Sequence, residues 1–572
     1  MEKQIYIDEF ISKLVAEKKS ALDFVSRRYE QWNENYELYR NKVKTNRLTQ
    51  RQQVNIPLMK ETIKTLLSKI DDAPMVDWKE LSGDKDKELI FQEIWNDDYD
   101  RLNLEGIDIQ DKKTVLLYGR SFKKLNWVNG QIDVKAMDIY DILVDPLTNP
   151  LDIESARYII HQNIFRCLKD ILEDDRYATE GKNKLKNYLS TEKGLIQTAK
   201  NKEEFDKKMK RVQSMGLSGD RTGTIEGVIA GGDVVINLTE HYTREWDKTA
   251  KEYVKKVVVY ADDTIELMNE TLIELMGVDF YPFITWAEDI ETSDFWTDSP
   301  ADLVRTPNKV LNIWFSQLVE NRTLRNFQMH WYDATVQGYV PQTYEPGPGR
   351  MLPAPGDPNK TIMPVEISGL DETMTAIQFL TQIIERGSAV TSLEKGVQEP
   401  GQTTLGEVQI LVGKATERTV SMAKAYRRSW QELCQKYWKI LEANGGEKRT
   451  LYKQSYDGSM WPKAIYVSDW RSKFGYKAMI ISTSEQEAED TKGLQKFQYV
   501  MSQFPNNPVL RAIAQKRMLE MLDLTSQEME KVKQAEEQLL INPPMAPAQM
   551  QGQPMAKQNA QPIVSPFAQA GG

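Results

Sequence analysis

Cysteine is rare in this sequence, which limits the chemistry that the chain can support. Its two cysteines, Cys167 and Cys434, stand far apart among 572 residues. Two such residues cannot build a disulfide framework and do not have the spacing of a zinc motif. We expect both to be small buried thiols, and this usage fits a reducing cytoplasm.

Histidine is equally scarce, and the three that occur do not form a metal-ligand pattern. His161, His241 and His330 are separated by 80 and 89 residues, and none belongs to a recognisable metal-binding motif. Each is expected to be a structural or surface side chain. The acidic pairs at residues 71–72 and 262–263 lie in turn-like sequence and are expected to form turns.

Long apolar runs and an excess of positive charge are also missing. No run reaches the roughly 18 apolar residues that span a bilayer, and residues 1–4 do not open a signal peptide, so we expect a soluble protein not secreted by that route. Lys and Arg number 74 against 84 Asp and Glu, which gives a net charge of −10. This balance argues against a strongly basic surface that grips nucleic acid, although DNA could still slide past.

The closest approach to a catalytic motif lacks its essential cation. Residues 396–403 (GVQEPGQT) have the glycine spacing of a phosphate-cradling P-loop, but Gln402 occupies the position of the lysine that neutralises the β- and γ-phosphates. The segment before it has a helical pattern, whereas a P-loop follows a strand. We predict a flexible loop here, no enzyme and no cofactor, although a triad assembled from distant residues stays open.

Helical periodicity is what the sequence has in abundance, most of all over residues 404–444. Apolar residues recur there with the three-and-four spacing of one helical face. Thr404 and Glu407 form a capping box, and Asn444 with Gly445 supplies the end. At 1.5 Å per residue such a helix would be ~60 Å long, which is more than one compact domain usually spans.

The remaining pattern predicts an α+β fold that is mostly helical. Further helices are predicted for residues 8–44, 58–70, 85–117, 169–216, 299–327, 370–388 and 485–540. Residues 121–128 and 131–137 flank Asn129-Gly130, a strong hairpin signal. Residues 233–286 alternate with a period of two and predict an antiparallel meander whose last strand ends at Trp286. A kink or restart of the helix is expected at Thr306-Pro307.

Several short passages occur in a distinctive order along the chain. They are the hairpin with residues 138–147 (DIYDILVDPL), residues 156–160 (ARYII), residues 238–244 (LTEHYTR) with 281–284 (YPFI), and residues 302–321 with KVLN at 309–312. In order and spacing they resemble the portal proteins of tailed bacteriophages. The resemblance covers residues 2–540.

The resemblance implies an architecture of named parts. These are a wing (1–298), a stem helix (299–327), a clip (328–368), a second stem helix (369–388), a tunnel loop (389–403), the long helix (404–444), a return to the wing (445–484), a helical crown (485–541) and a tail (542–572). The tail is rich in Pro, Gln, Ala and Met, and its composition predicts disorder. Helices packed around a ring would let neighbouring subunits bury part of the long helix.

The resemblance also implies a function. The protein would form a homododecameric ring at one capsid vertex, as the channel for double-stranded DNA packaging and ejection. Expected partners are the terminase large subunit during filling, a head-tail connector or adaptor protein afterwards, and the major capsid protein, with no membrane. The protein would be part of the virion and would be assembled in the cytoplasm of the bacterial host.

Two groups of residues are candidates for that function. The residues expected near the DNA, in the stem and the tunnel loop, are Lys309, Arg322, Arg325, Lys395, Gln398 and Glu399. For the four cations, intersubunit or surface ion pairs are an equally open alternative. The clip aromatics that suit a docking surface are Trp331, Tyr332, Tyr339 and Tyr344.

Two other classes of protein remain as alternatives. A nucleic-acid enzyme, such as a packaging ATPase or nuclease, needs a P-loop lysine or a carboxylate cluster, and only residues 396–403 approach either. A cytoplasmic coiled-coil scaffold fits poorly with the strand-rich centre of the chain.

Overall fold

The structure is a computed structural model that describes twelve stretches of the chain. These are residues 9–42, 54–70, 75–128, 130–214, 234–247, 251–326, 330–332, 362–364, 371–388, 405–446, 448–454 and 460–481. The chain divides into two units, Met1–Ser484 and Glu485–Gly572, and every described residue belongs to the first. The predicted tunnel loop, crown and tail lie outside the described residues.

Helices make up most of the described chain, as the periodicity predicts. They are α1 (Glu9–Val25), α2 (Tyr29–Tyr39), α3 (Leu58–Lys69), α4 (Lys85–Arg101), α5 (Leu104–Tyr118), α6 (Leu168–Glu173), α7 (Thr179–Leu189), α8 (Glu192–Ser214), α9 (Leu272–Met276), α10 (Pro300–Asn326), α11 (Asp371–Ser388), α12 (Leu405–Asn444) and α13 (Val467–Trp470). With the antiparallel sheets below, they confirm a mostly helical α+β fold. The helix expected over residues 404–444 is α12.

The strands form small antiparallel sheets. They are β1 (Met75–Glu80), β2 (Arg120–Val128), β3 (Gln131–Ala136), β4 (Ile142–Val144), β5 (Tyr158–Cys167), β6 (Val235–Asp247), β7 (Glu252–Ala261), β8 (Ile265–Thr271), β9 (Phe283–Ala287), β10 (His330–Tyr332), β11 (Ile362–Pro364), β12 (Lys448–Gln454), β13 (Met460–Tyr466) and β14 (Tyr476–Ile481). The largest sheet has the order β4-β5-β6-β7-β8, and a second has the order β3-β2-β9. Pairs β1-β14, β10-β11 and β12-β13 complete the set.

Strand β9 corrects the predicted meander. Strands β6, β7 and β8 do follow one another in the large sheet, but β9 pairs with β2 in the other sheet, from Arg120 opposite Ala287 to Lys124 opposite Phe283. The alternation of residues 281–286 identifies a strand and cannot identify its partner. The predicted hairpin is correct, because β2 pairs with β3 from Lys123 opposite Ala136 to Val128 opposite Gln131.

Several helix predictions also change: residues 8–44 contain α1 and α2, and the region of residues 169–216 contains α6, α7 and α8. The single helix expected over residues 85–117 is two helices, because Asn103 adopts a left-handed conformation with φ of 50° and its side chain accepts a hydrogen bond from the Gly106 amide at 3.3 Å, which starts α5. No restart occurs at Pro307, which lies inside the continuous helix α10. Pro307 has no amide hydrogen to donate to the carbonyl of Leu303, four residues earlier, and Leu303 is 60% exposed.

An aromatic cluster joins β1 and α4, from the early part of the first unit, to α12 and β14, from its late part. Trp78 of β1 contacts Phe91 of α4 at 4.8 Å between ring centroids, and Phe91 stacks on Tyr476 of β14 at 4.2 Å. Tyr437 of α12 meets Trp95 of α4 at 4.9 Å. Strand β1 pairs with β14 along their full lengths. Strand β14 thus lies beside β1, about 400 residues earlier in the chain.

Candidate functional site

Helix α10 is fixed firmly at its beginning. Ser299 and Asp302 cap it reciprocally, because the Ser299 amide donates to the Asp302 carboxylate at 2.8 Å and the Asp302 amide donates to the Ser299 hydroxyl at 3.3 Å. The buried Asn35 side chain of α2 donates to Asp302 at 2.9 Å and to the Leu117 carbonyl at 3.0 Å. These bonds join the start of α10 to α2 and α5.

The far end of α10 is much more open. Its first half buries Ala301, Val304 and Leu311. Beyond Ser316, no residue of this described helix is fully buried, and both Arg322 and Arg325 are exposed. Helix α10 therefore carries two cations at its open end.

Helix α11 packs along α10 and has apolar side chains on two of its faces. Ile377 and Ile384 are buried at 6% and 2% exposure. Phe379 and Ile383 are 61% and 41% exposed, on a different side of the same helix. Within the described residues, a second apolar face of α11 is therefore left in solvent, as expected for a surface that another chain covers.

A short antiparallel neck joins these two helices. Strand β10 follows α10, β11 precedes α11, and the two pair from His330 opposite Pro364 to Tyr332 opposite Ile362. Residues 333–361 therefore leave and return at one place. Trp331 and Tyr332 lie in β10, whereas Tyr339 and Tyr344 lie outside the described residues.

The candidate DNA-facing residues fall into three situations. The Lys309 ammonium lies 2.6 Å from the Glu34 carboxylate, and both side chains are about one third exposed, at 34% and 35%. Lys309 therefore makes a surface ion pair, which is the alternative to DNA contact given for this residue above. Arg322 and Arg325 are exposed on α10, and the tunnel-loop candidates Lys395, Gln398 and Glu399 lie outside the described residues.

Helix α12 is held by buried carboxylates that sequence analysis does not find. Asp108 of α5 accepts hydrogen bonds from the Tyr426 hydroxyl at 2.6 Å and the Trp430 indole at 3.2 Å, and it pairs with Lys112 at 2.6 Å. Burial, and then the nearby Asp108 charge, raise the pKa of Tyr426. The phenol therefore stays protonated and remains a donor.

Asp98 of α4 makes a second buried contact with α12. The Tyr437 hydroxyl donates to it at 2.5 Å, Arg101 pairs with it at 2.8 Å, and the Arg449 guanidinium binds both of its oxygens. Burial by itself would raise the pKa of Asp98, but the hydrogen bonds and charge of Arg449 outweigh burial and leave that pKa lowered.

Lys436 makes a third buried contact, in which α12 supplies the cation. Its ammonium donates to the Phe283 carbonyl at 2.7 Å and the Tyr281 carbonyl at 3.0 Å, and it pairs with Glu154 at 2.8 Å. Only local pairs such as Glu432 with Lys436 are visible in a sequence, whereas every other partner here is more than 150 residues away. The sequence offers one signal of buried carboxylates, because Asp98, Asp108 and Asp111 stand among the apolar positions of a predicted helix.

Among the side chains that the structure describes, the histidines and cysteines show no arrangement for catalysis. His161 lies 3.4 Å from Glu240 and His241 lies 3.2 Å from Glu17, and burial lowers the pKa of both imidazoles. Cys434 is buried in the core, which raises the pKa of its thiol. Among the described residues, no cluster of three or more His, Cys, Asp or Glu could hold a metal ion. None of the helices described is long and apolar enough to cross a membrane.

Comparison with known families gives one match over nearly the whole chain. The family described as phage SU10 portal protein matches residues 17–563. A search of curated proteins finds no match. The matched range includes α10, the neck and α11, and it includes α12 with its buried carboxylate contacts.

Proposed function

This chain belongs to the phage portal protein family, and from that premise we propose that it forms a dodecameric ring that conducts double-stranded DNA into and out of the capsid. The family implies a structural portal of the capsid for DNA packaging. It is a structural, non-enzymatic family. Ejection of the genome, the dodecameric state and the residues that contact DNA belong to the proposal.

The observation that best supports this proposal is the unit of α10, the neck and α11. Helix α10 is fixed at one end and open at the other, and α11 returns beside it with Phe379 and Ile383 exposed. Repeated around a ring, such pairs can bury the exposed apolar face of α11 against the next subunit. We assign α10 and α11 to the two stem helices and residues 328–368 to the clip.

The charge of the chain suits passage of DNA without tight binding. A dodecamer would carry a formal charge near −120, from −10 per copy, which weakens backbone binding of the kind that basic proteins use. Contact with DNA would then be local. We assign it to Arg322 and Arg325 at the open end of α10 and to Lys395, Gln398 and Glu399 of the tunnel loop at residues 389–403.

The partners follow from the same assignment. The clip would bind the terminase large subunit during filling and a head-tail connector or adaptor protein afterwards, with Trp331, Tyr332, Tyr339 and Tyr344 as anchors. The wing would contact the major capsid protein, and the ring would assemble in the host cytoplasm before it becomes part of the virion. The residues after 484 would form the crown and the tail.

The mass and symmetry of the purified protein test this proposal. Native mass spectrometry with electron-microscope class averages should show a closed ring of twelve subunits around a central hole. A filament or an asymmetric particle would contradict it. ATP hydrolysis by purified rings should not exceed that of a control without protein. Sustained turnover would favour a packaging ATPase instead.

A further inference from the structure

Arg120, the first residue of β2, is a buried cation with few partners. It is 1% exposed, and its guanidinium donates to the Pro150 carbonyl at 3.1 Å and to the Thr285 hydroxyl at 3.4 Å. The guanidinium carbon lies 4.0 Å from the centre of the Phe295 ring. Its Nε is buried without any acceptor. These contacts place the cation without neutralising it.

The other buried cations of the described chain are neutralised within it. Lys112, Lys123 and Lys436 have carboxylates at 2.6, 2.7 and 2.8 Å, and Lys124 contacts Glu240. Arg120 has no carboxylate within 4.0 Å among the described residues.

The nearest acid does not change this conclusion. Asp294 contributes a favourable charge at longer range, but its own ion pair, at 2.9 Å, is with Arg28. Burial lowers the pKa of Arg120 to about 9, and this value still leaves the guanidinium charged at neutral pH. An unpaired buried charge is strongly unfavourable, so the site is electrostatically incomplete within the part of the chain that the structure describes.

The cation lies in the wall of an open cleft. The cleft has a volume of about 530 Å³ and lies between residues 150–153, the end of β9 and one face of α12. Lys424 and Arg428 of α12 are exposed along it. The acid on that face, Glu432, pairs with Lys436 at 2.9 Å. The unneutralised charge of the α12 wall is therefore positive, whereas residues 150–153 contribute one exposed acid, Asp152.

The edge of the cleft is apolar, which identifies the kind of occupant. Leu151 and Ile290 line it and are 58% and 41% exposed. A free anion could neutralise Arg120 but would leave both apolar side chains in water, and a DNA duplex, which presents sugar and phosphate, would not cover them with an apolar surface either. A protein segment can do both, because interface hot spots combine an arginine with apolar residues that exclude water.

We propose that this cleft receives an acidic side chain of a second copy of the chain, so that Arg120 is neutralised only in the assembled ring. The inference rests on the proposed function, because copies in a closed ring contact one another through two different faces. One face presents the cleft. The other supplies the carboxylate, from a chain with 84 acidic residues against 74 basic ones.

The test compares Arg120→Met with Lys123→Met in the full-length protein. Lys123 lies in the same strand but is paired with Asp111 at 2.7 Å. Arg120→Met should leave the melting temperature of unassembled subunits unchanged or higher, and should raise the protein concentration needed for half-assembly by about tenfold. Lys123→Met should lower the melting temperature, because it leaves Asp111 buried without a cation. If Arg120→Met lowers it equally, Arg120 is merely structural and the proposal is wrong.

Two further measurements do not depend on the stability of that variant. Arg428→Glu changes an exposed residue and should also weaken assembly, at unchanged melting temperature. Carbodiimide coupling should join Lys424 to an acidic residue of the neighbouring copy in rings and not in monomers. If wild-type protein forms rings while Arg120→Met and Arg428→Glu assemble equally well, this inference fails and the portal function stands. If wild-type protein forms no ring, the portal function itself fails.

Discussion

Helices α12 and α11 are both amphipathic, but their apolar faces find different partners. Among the described side chains of α12, Tyr426, Trp430 and Tyr437 are buried. Each of these aromatic residues also donates a hydrogen bond to a buried carboxylate of the same chain. Helix α11 buries Ile377 and Ile384 and leaves Phe379 more than half exposed. The described aromatic face of α12 is buried within its subunit, whereas α11 has an apolar face that the described residues leave exposed.

The difference indicates that separate contacts determine the position of α12 within the subunit and the packing of α11 against a neighbouring subunit. A hydrogen bond to a buried carboxylate forms only when donor and acceptor lie within about 3 Å of each other, so Asp98 and Asp108 restrict where α12 lies along α4 and α5. Apolar contacts tolerate small shifts, which suits a helix whose final packing depends on a neighbour. The following variants and the change of pH perturb the contacts of either α12 or α11, in order of decreasing expected effect on subunit stability.

Removing the Asp98 carboxylate should destabilise the subunit most. Asp98→Ala leaves Arg449, Arg101 and the Tyr437 hydroxyl without their buried acceptor, and we expect a loss of about 3–5 kcal/mol in the free energy of unfolding. Urea denaturation of unassembled protein measures it. Asp97→Ala is the matched control, since Asp97 is 38% exposed and also binds Arg449, at 3.0 Å; its loss should be below about 1 kcal/mol. Equal losses would show that Asp98 does not fix α12.

Acid should release α12 before α11. Burial by itself raises the pKa of Asp98 and of Glu154, but Arg449 and Lys436 leave both values lowered. Their stabilising contribution is therefore complete above the unfolded pKa values, near about 4, and is lost as pH falls through the lower folded values. Hydrogen exchange measured at falling pH should show amides of residues 421–444 opening first. The loss should be smaller than that of Asp98→Ala, because a protonated carboxyl still accepts hydrogen bonds.

Removing one hydroxyl should have an intermediate effect. Tyr426→Phe deletes the 2.6 Å hydrogen bond to the buried Asp108 and keeps the ring, so we expect a loss of about 1–3 kcal/mol in the free energy of unfolding. Tyr253→Phe, at a residue that is 59% exposed, should change it by less than about 0.5 kcal/mol. Denaturation curves of the two variants give the comparison, and similar values would remove the special role of Asp108.

The smallest effect on subunit stability should come from the exposed face of α11. Phe379→Ser should change the free energy of unfolding by less than about 0.5 kcal/mol and yet reduce ring formation, measured by native mass spectrometry. Ile384→Ala, at 2% exposure, should cost the isolated subunit about 2–4 kcal/mol. If Phe379→Ser destabilises the monomer as much as Ile384→Ala, the contrast between the two helices is wrong.

Local patterns predicted the elements of this fold much better than their partners. The caps at Thr404 and Asn444 locate α12 to within one residue, and Asn129-Gly130 locates the hairpin. The break at Asn103 also had a local signal, since asparagine commonly precedes a helix, but the apolar periodicity on either side concealed it. Strand β9 was assigned to the wrong sheet because pairing with β2 depends on residues about 160 positions away.

The candidate site shows the same division between local and distant information. The exposure of Arg322 and Arg325 is consistent with two cations near the end of a predicted helix. Nothing near Arg120 in sequence indicates that it is buried without a carboxylate, because Pro150, Thr285 and Phe295 approach it only in the fold. For the same reason, Asp98 and Asp108 could be placed on helices but could not be recognised as the acceptors for α12.

The pairing of β1 with β14 has a consequence for the timing of synthesis. Met75 lies opposite Ile481, about 400 residues later in the chain. A ribosome adding roughly 5–20 residues per second needs ~20–80 s to make the intervening segment. Until then Phe91 has no Tyr476 ring to stack on and β1 has no partner strand, so the first unit stays unfinished. Chains terminated before β14 therefore lack both the strand that pairs with β1 and the Tyr476 ring that stacks on Phe91, so they cannot complete this core.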